Sequence, residues 1–398
     1  MAEAGAHRAG ILVLNQISAL GLSRLPADRY LVGKDVGDPV AILVRSTDLH
    51  GLTIAPSVQA IGRAGAGTNN IPVESMSKRG VPVFNAPGAN ANAVKELVLA
   101  GMLMAARNLA PALQFSAALD VAAPNLEQRV EDGKKSFAGF EIAGQTLGII
   151  GLGKVGCLIA DAAIKLGLDV LGYDPEITVD AAWSLPSQVR RAGSVNEVLR
   201  GAQFVTLHVP LLDATRHLVN DGNIGLMRPG AVLLNFSREG VVSDSAVLEA
   251  LAAGRLGQYV CDFPGAAIHG HPKVIALPHL GASTREAEEN CAIMVVDQLR
   301  DFLENGNVAN AVNFPTVAML RESPWRVAIA NANVPNMLGQ ISTTMAEAGL
   351  NIHNMVNKSR GEMAYTLVDV DSAVGDAVID QLKAIDGVLS VRYLPGQA

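Results

Sequence analysis

The chain is 398 residues long, enough for two or three domains that each bury a core of their own. Hydrophobic residues make up 49% and charged residues 17%, a balance that excludes disorder over most of the length. The formal net charge of −7 argues against a phosphate-backbone binder, so nucleic acid is not an expected partner.

The opening stretch, residues 1–8, lacks a basic region followed by a long apolar one, and the apolar run 11–14 is too short for a signal sequence. No stretch approaches the length of a membrane span, so a soluble, cytoplasmic protein without a membrane partner is expected. Cys157, Cys261 and Cys291 lie far apart and show no metal-ligand or redox spacing. They are expected to be buried or incidental thiols, with no metal site.

Short apolar runs at 11–14, 40–44, 60–64 and 81–84 read as strands, the third ending in the turn Gly65-Ala66-Gly67. Strands alternating with helix-length segments predict a doubly wound α/β domain with a parallel sheet. After the turn Asn85-Ala86-Pro87-Gly88, the apolar spacing over 93–107 predicts a long, mostly buried helix. The polar stretch 124–140, which carries Lys134 and Lys135, reads as an excursion between domains.

A second alternating series starts at Gly144, with strands expected at 147–150, 170–173, 204–209, 232–235, 259–261 and 274–277. Six strands of this kind suit a complete dinucleotide-binding sheet. A helix is expected over 285–304, and 305–324, with Pro315 and Pro324, reads as a linker. The last segment has a different rhythm, with strands at 326–330, 351–357, 363–369 and 388–393 and helices at 336–348 and 374–385. That order is β-α-β-β-α-β, a ferredoxin-like module.

The strand at 147–150 runs directly into Gly151-Leu152-Gly153-Lys154-Val155-Gly156, and a helix is expected over 155–166. Asp174 closes the next strand, 18 residues after Gly156. In such a fingerprint the first glycine permits the tight turn and the second lets backbone approach a pyrophosphate. The third lets helix and strand pack closely, and the helix N-terminus favours the phosphate charge. A carboxylate at Asp174 can accept both ribose hydroxyls of an adenosine but would repel a 2′-phosphate. NAD is therefore expected rather than NADP.

Two further strand ends carry chemistry. Arg238, in Asn235-Phe236-Ser237-Arg238-Glu239-Gly240, follows a strand of the cofactor sheet and can hold a carboxylate through two parallel hydrogen bonds. His279, in Pro278-His279-Leu280-Gly281-Ala282-Ser283-Thr284, follows the last strand. Oxidising an alcohol needs a base for the hydroxyl proton, and imidazole suits that task near neutral pH. His208 is expected to be structural, and His269 and His271 to be loop residues without partner ligands.

These segments, together with Gly62-Arg63-Ala64-Gly65-Ala66-Gly67-Thr68-Asn69-Asn70-Ile71 and Asn85-Ala86-Pro87-Gly88-Ala89-Asn90, resemble the D-isomer-specific 2-hydroxyacid dehydrogenase family over nearly the whole chain. The resemblance implies a discontinuous substrate domain (1–92 and 286–315), a Rossmann NAD domain (93–285) and a C-terminal ACT domain (325–398), with the catalytic cleft between the first two. It implies Arg238 on the substrate carboxylate and C2 oxygen, His279 as acid/base, and Asp174 on the adenosine ribose. Lys154 and Val155 would cover the pyrophosphate. Val209, Phe236, Ser237, Asp262 and the run His279, Leu280, Gly281, Ala282 would line the nicotinamide side. Arg45, Ser46, Arg63 and Asn90 match positions that hold the substrate, and two guanidinium groups suit a phosphate dianion. The implied reaction is NAD-dependent oxidation of D-3-phosphoglycerate to 3-phosphohydroxypyruvate, in serine biosynthesis. Lys134 and Lys135 would reach a neighbouring subunit in a homodimer or homotetramer.

One departure from the family stands out. Its pattern places a Glu between the Arg and the His, where spacing from Arg238 finds Ala267 in Cys261-Asp262-Phe263-Pro264-Gly265-Ala266-Ala267-Ile268. Either His279 works without an acid, or Asp262 or a residue from elsewhere supplies one. The expectation is a working His279 whose activity profile starts its basic limb at lower pH than in relatives with the Glu. In the tail, the ACT resemblance implies L-serine as a regulatory ligand, held by Asn331, Asn333 and Asn351, whose amides offer both donors and acceptors. Two other readings stay open: another D-2-hydroxyacid dehydrogenase, acting on lactate, glycerate or an erythronate phosphate, and a non-catalytic NAD sensor.

Overall fold

The computed structural model describes residues 8–122 and 124–396, so the expectation drawn from residues 1–7 lies outside the described residues. The chain forms two compact units, residues 8–90 with 285–396, and residues 91–284.

The first unit begins with β1 (Ala9–Val13), α1 (Ala19–Leu22), β2 (Tyr30–Gly33), β3 (Ala41–Val44), β4 (Ala60–Arg63), α2 (Val73–Lys78) and β5 (Val83–Phe84). Its sheet has the order β2-β1-β3-β4-β5, with every pairing parallel. Strand β3 is buried at every position, which is why Ala41-Ile42-Leu43-Val44 is an unbroken apolar run rather than an alternating one. No apolar run in the sequence marks β2. It is an edge strand in which only Tyr30 is buried, so it carries little apolar signal.

The second unit holds α3 (Ala91–Ala106), α4 (Leu109–Ala117), α5 (Leu126–Gly133), β6 (Thr146–Ile150), α6 (Lys154–Lys165), β7 (Asp169–Tyr173) and α7 (Val179–Ser184). It continues with β8 (Arg190–Arg191), α8 (Val195–Gly201), β9 (Phe204–Leu207), β10 (Ala231–Asn235), α9 (Asp244–Ala252), β11 (Leu256–Cys261) and β12 (Val274–Ala276). These strands form a seven-stranded parallel sheet in the order β12-β11-β10-β9-β6-β7-β8. The six expected strands are all present. The seventh, β8, is a two-residue edge strand with both side chains exposed, so no hydrophobic pattern announces it. Because β6 pairs with β7 on one side and β9 on the other, the strand order reverses there, and ligands of such sheets bind beyond the carboxyl ends at that point.

Helix α3 buries Val94, Val98, Met102, Ala105 and Ala106 in the core beneath β10 and β11. A Cβ at Gly101 would lie 2.9 Å from Val260 and 3.2 Å from Phe236, so the glycine allows the helix to approach the sheet. No single helix among the described residues is long and apolar enough to cross a membrane. Helices α3 and α4 reach that length only together, and they are bent by 70° at their junction.

The first unit resumes with α10 (Arg285–Asn305), β13 (Trp325–Ala332), α11 (Met337–Glu347), β14 (Ile352–Arg360), β15 (Met363–Val370), α12 (Asp376–Lys383) and β16 (Val388–Pro395). Helix α10 packs Val295, Val296 and Leu299 against the sheet residues Ile11 and Leu43. The last four strands form an antiparallel sheet, β14-β15-β13-β16, the expected β-α-β-β-α-β module. The segment 305–324 is not a free linker. Val308, Ala311, Phe314, Val317 and Met319 are buried in the core of the first unit. Its Pro and Asn content imitates a linker, but the apolar residues between them are core. Arg326, fully buried, ties this segment to the last sheet. It donates to both carboxylate oxygens of Asp369 at 2.6 and 2.8 Å and to the carbonyls of Asn305, Met319 and Leu320 at 3.0, 2.9 and 3.1 Å.

Candidate active site

The glycine loop turns from β6 into α6. Gly151 has φ +96, and a Cβ there would lie 2.5 Å from the carbonyl oxygen of His208. Gly156 sits so close under the loop that a Cβ would lie 2.1 Å from the carbonyl oxygen of Gly151. Gly153, the N-cap of α6, differs from both: a Cβ would meet nothing within 4 Å. The open space lies at a helix N-terminus whose first N–H groups have no intrahelical partner, which is the setting a pyrophosphate needs. Lys154 and Val155 open that helix, and Asp174 follows the next strand with its carboxylate accepting from Leu152 N at 2.8 Å and Glu176 N at 3.0 Å. The acid is thereby locked to the loop. These residues fit a dinucleotide.

Gly153 and Gly156 should therefore respond differently to a methyl group. Gly156→Ala is expected to destabilise the fold by about 3 kcal/mol or more, because backbone must move. Gly153→Ala is expected to leave the melting temperature unchanged and to weaken NADH binding, since only a ligand would occupy that space. Thermal unfolding and NADH fluorescence titration of the two variants check this contrast.

At the end of β10, Asn235 is fully buried and organises the turn that carries Arg238. Its Oδ1 accepts from Ser237 N at 3.1 Å and its Nδ2 donates to Arg238 O at 2.9 Å. The Ser237 hydroxyl donates to Leu207 O at 2.6 Å and accepts from Val209 N at 3.2 Å, joining the ends of β9 and β10. Phe236 points into the core against Gly101, so its ring packs rather than faces a ligand. The Arg238 guanidinium is exposed. It donates to Ser237 O at 2.7 Å and lies 5.3 Å over the ring of Phe263.

His279 has φ +56, a left-handed conformation that non-glycine residues seldom adopt. Asp262 holds it there. Its backbone carbonyl accepts from His279 N at 3.1 Å, and its carboxylate accepts from Leu280 N at 2.7 Å and Gly281 N at 2.8 Å. Burial pushes the Asp262 carboxyl above the usual range, opposed in part by the two N–H bonds and by the charge of the nearby His279. A Cβ at Gly281 would lie 3.0 Å from the Asp262 carboxylate, so the glycine lets the loop close on it, with Ala282 half-buried beside it. Asp262 thus spends both oxygens on backbone. Among the described residues the imidazole of His279 makes no hydrogen bond or ion pair, and Ala267 is exposed on its loop. Its near neighbour is an aromatic ring: the centroids of Phe263 and His279 are 4.4 Å apart, tilted by 47°.

His208 pairs its Nε2 with the Thr206 hydroxyl at 2.8 Å, and desolvation pushes the imidazole down to about 3. The ring is neutral and structural. His271 Nδ1 accepts from Lys273 N at 3.2 Å within its own loop. Among the described residues no group of three or more His, Cys, Asp or Glu side chains could hold a metal ion. The three thiols are buried, and burial pushes each of them up, Cys261 to about 12.

In the first unit, Asn15 gathers the loop after β3: its Oδ1 accepts from Ser46 N at 3.0 Å and Thr47 N at 2.8 Å. Arg45 pairs with Glu288 of α10 at 2.7 Å, and Arg63 Nε donates to Arg45 O at 3.1 Å. A Cβ at Gly65 would lie 2.1 Å from the Arg63 guanidinium, so glycine gives that group its place. The structure brings Arg45, Ser46 and Arg63 together, and half-buried Asn90 ends this part of the unit. Lys134 and Lys135 pair with Glu131 and Asp132 on their own turn.

The three asparagines of the last module are placed differently from one another. Asn331 lies inside β13, paired with Ala364, because the strand runs past the expected end at 330. It is buried, with Nδ2 donating to Ala332 O at 2.8 Å and Oδ1 accepting from the Thr366 hydroxyl at 3.4 Å. Asn333 is exposed and donates to Gly361 O at 3.1 Å, and Asn351 is exposed just before β14. Asn15, Asn235 and Phe263, which hold these loops and side chains in place, are not singled out by the sequence. A polar residue closing an apolar strand is a usable signal for Asn235; nothing local marks Phe263.

Residues 99–281 match the family model described as D-isomer specific 2-hydroxyacid dehydrogenase, NAD binding domain. The chain is 33% identical over 355 residues to D-3-phosphoglycerate dehydrogenase of Haemophilus influenzae, covering 85% of this chain and 82% of that one. It is 32% identical over 359 residues to the enzyme of the same name from Escherichia coli K12, covering 86% and 83%. The chain belongs to the D-isomer-specific 2-hydroxyacid dehydrogenase family, and its second unit carries the NAD-binding domain of that family. Among solved structures it resembles the TT0316 protein of Thermus thermophilus, with a TM-score of 0.62 and 25% identity over 76% of this chain and 99% of that one. NAD-bound 3-phosphoglycerate dehydrogenase of Entamoeba histolytica shares the fold, with a TM-score of 0.60 and 23% identity over 77% and 98%.

Proposed function

We propose that the protein oxidises D-3-phosphoglycerate to 3-phosphohydroxypyruvate, with Arg238 and His279 acting on the carbon that bears the hydroxyl. The observation that carries this reading is the pair itself: a guanidinium and an imidazole, from two strand ends of one NAD-binding sheet, both resting on Phe263. Arg238 binds the carboxylate through two parallel hydrogen bonds and orients the C2 oxygen. His279 takes the hydroxyl proton as the C–H bond breaks, so the O–H electrons form the carbonyl. Bound NAD supplies the hydride acceptor. Asp174 holds the adenosine ribose, and the N–H groups at Gly153, Lys154 and Val155 hold the pyrophosphate.

Arg45, Ser46, Arg63 and Asn90 hold the phosphate in this reading. Support comes from the way Asn15 and Gly65 shape that loop around two guanidinium groups. The names of the relatives support the phosphorylated substrate. The last module is read as an ACT domain that takes L-serine at Asn333 and Asn351, with Asn331 committed to its strand, and the active form as a homodimer or homotetramer. Isothermal titration with L-serine reads the regulatory part directly; heat is expected, and its absence at millimolar ligand leaves the module a structural role.

The substrate is tested by NADH formation from D-3-phosphoglycerate, D-glycerate and D-lactate. The phosphorylated acid is expected to have the highest kcat/KM. Replacing both Arg45 and Arg63 by Ala is expected to lower it by roughly 100-fold for that acid alone, since each charge-assisted hydrogen bond contributes about 1.5–3 kcal/mol. Equal damage to D-glycerate oxidation would reject the phosphate role. Activity confined to D-lactate would make the protein another 2-hydroxyacid dehydrogenase, and no NADH from any of them would leave an NAD sensor.

A further inference from the structure

We propose that Phe263 is a positioning residue: its ring fixes the imidazole of His279 and the guanidinium of Arg238 relative to each other, in place of a hydrogen-bonded acid. The inference rests on the reading of His279 as the acid/base. Three observations lead to it. The imidazole has no hydrogen-bond or ion-pair partner among the described residues: the Asp262 carboxylate accepts from Leu280 N and Gly281 N, and His279 bears on it only through its charge. The backbone under His279 is nevertheless held tightly, in a left-handed conformation pinned by the carbonyl and carboxylate of Asp262. The remaining freedom is rotation of the side chain, and the Phe263 ring meets the imidazole at 4.4 Å between centroids.

The same ring lies 5.3 Å beneath the Arg238 guanidinium, within the range in which a cation is drawn to an aromatic face. Arg238 itself is exposed and donates to a single carbonyl, Ser237 O, so the ring supplies the contact that limits its swing. Phe263 follows Asp262 directly, so the residue that clamps the loop of His279 from below is chained to the residue that packs against its imidazole. A carboxylate partner orients an imidazole by a hydrogen bond and also changes its proton affinity. A phenyl ring orients it by contact and leaves both ring nitrogens open for substrate and water. The arrangement therefore divides the work: Asp262 sets the backbone, Phe263 sets the side chains.

The test compares Phe263→Leu, Phe263→Tyr and His279→Ala in the full-length protein, with D-3-phosphoglycerate and NAD as substrates. Phe263→Leu keeps the apolar bulk and removes the ring. It is expected to lower kcat about 5- to 10-fold, the range that an aromatic pair is worth, and to raise the hydroxy-acid KM about 3-fold through Arg238. NADH affinity and the KM for NAD should stay unchanged, which a loss of folding would not allow. Phe263→Tyr keeps the ring and should restore at least half of the wild-type kcat. A Leu variant with wild-type kcat and KM overturns the proposal, and so does a Tyr variant as impaired as Leu, because contact by the ring would then be irrelevant. If Phe263→Leu does not fold, the Tyr variant with a kcat below a tenth of wild type overturns it alone. Full activity of His279→Ala would instead reject the acid/base reading, so the two failures are separable.

Discussion

Replacing His279 by Ala is expected to lower kcat for hydroxy-acid oxidation by roughly 100- to 10,000-fold, the contribution of a positioned acid/base group. NADH affinity should change little, because the residues proposed to hold the pyrophosphate and ribose lie at the start of α6 and just after β7, away from the β12 loop in sequence and in sheet order. Residual activity would come from Arg238 and from holding the reactants together. His279→Gln is the useful companion. It retains hydrogen-bonding capacity near the same place but cannot take a proton, and it should be as impaired as the Ala variant. Steady-state kinetics with fluorescence titration of NADH measures both quantities. A loss smaller than about tenfold would move the proton transfer to another group.

Replacing Arg326 by Met is expected to destabilise the protein by about 3–5 kcal/mol, the cost of leaving a buried charge without its partner. Arg326 and Asp369 are fully buried and bonded through two oxygens, and the guanidinium also serves three carbonyls. Met fills much of the volume but leaves the Asp369 carboxylate unpaired and those carbonyls without a donor. Pairing the change with Asp369→Leu should recover part of the loss, because apolar groups of similar size can replace a buried ion pair at little net cost. Urea unfolding of the single and double variants measures this, and a single-variant loss below about 1 kcal/mol would show that the pair is solvated. The consequence is local to the first unit, where Arg326 ties 305–320 to the antiparallel sheet.

Much of this was legible in the linear chain where a physical rule acts over a few residues. The glycine loop is the clearest case. Gly151 needs its positive φ, Gly156 its close approach and Gly153 its open space, and each requirement belongs to the turn itself. The apolar runs of β6, β9 and β10 are buried at every position, so they announce themselves as central parallel strands. The edge strands β2 and β8 do not, since β2 buries only Tyr30 and both residues of β8 are exposed. Arg238 and His279 stand out in the sequence because each follows a strand candidate at the ligand edge of the sheet. Phe263 does not, because the role proposed for it depends on two side chains that reach it from other strand ends.

Two further segments depend on distant neighbours in the same way. Residues 305–324 have the composition of a linker, but Phe314 and Val317 are fully buried beside residues from β1, α10 and β13. Asn331 has the chemistry of an amino-acid ligand, yet its strand pairs on to Ala332 and turns its amide into the sheet's own hydrogen bonding. Neither outcome can be read from neighbours in the chain.

By itself, then, the sequence determined the cofactor class, the parallel sheets, the final β-α-β-β-α-β module and the pair of residues proposed for the chemistry. All of these follow from backbone conformation and burial over short spans. Only the tertiary structure decided what supports His279. With Ala267 where an acid was expected, Asp262 could have been the partner of the imidazole. The fold gives its carboxylate to two backbone N–H groups, because a buried carboxylate must be satisfied and those donors are the ones the loop presents. The imidazole is left to the ring of Phe263, a contact between strand ends that no local pattern encodes.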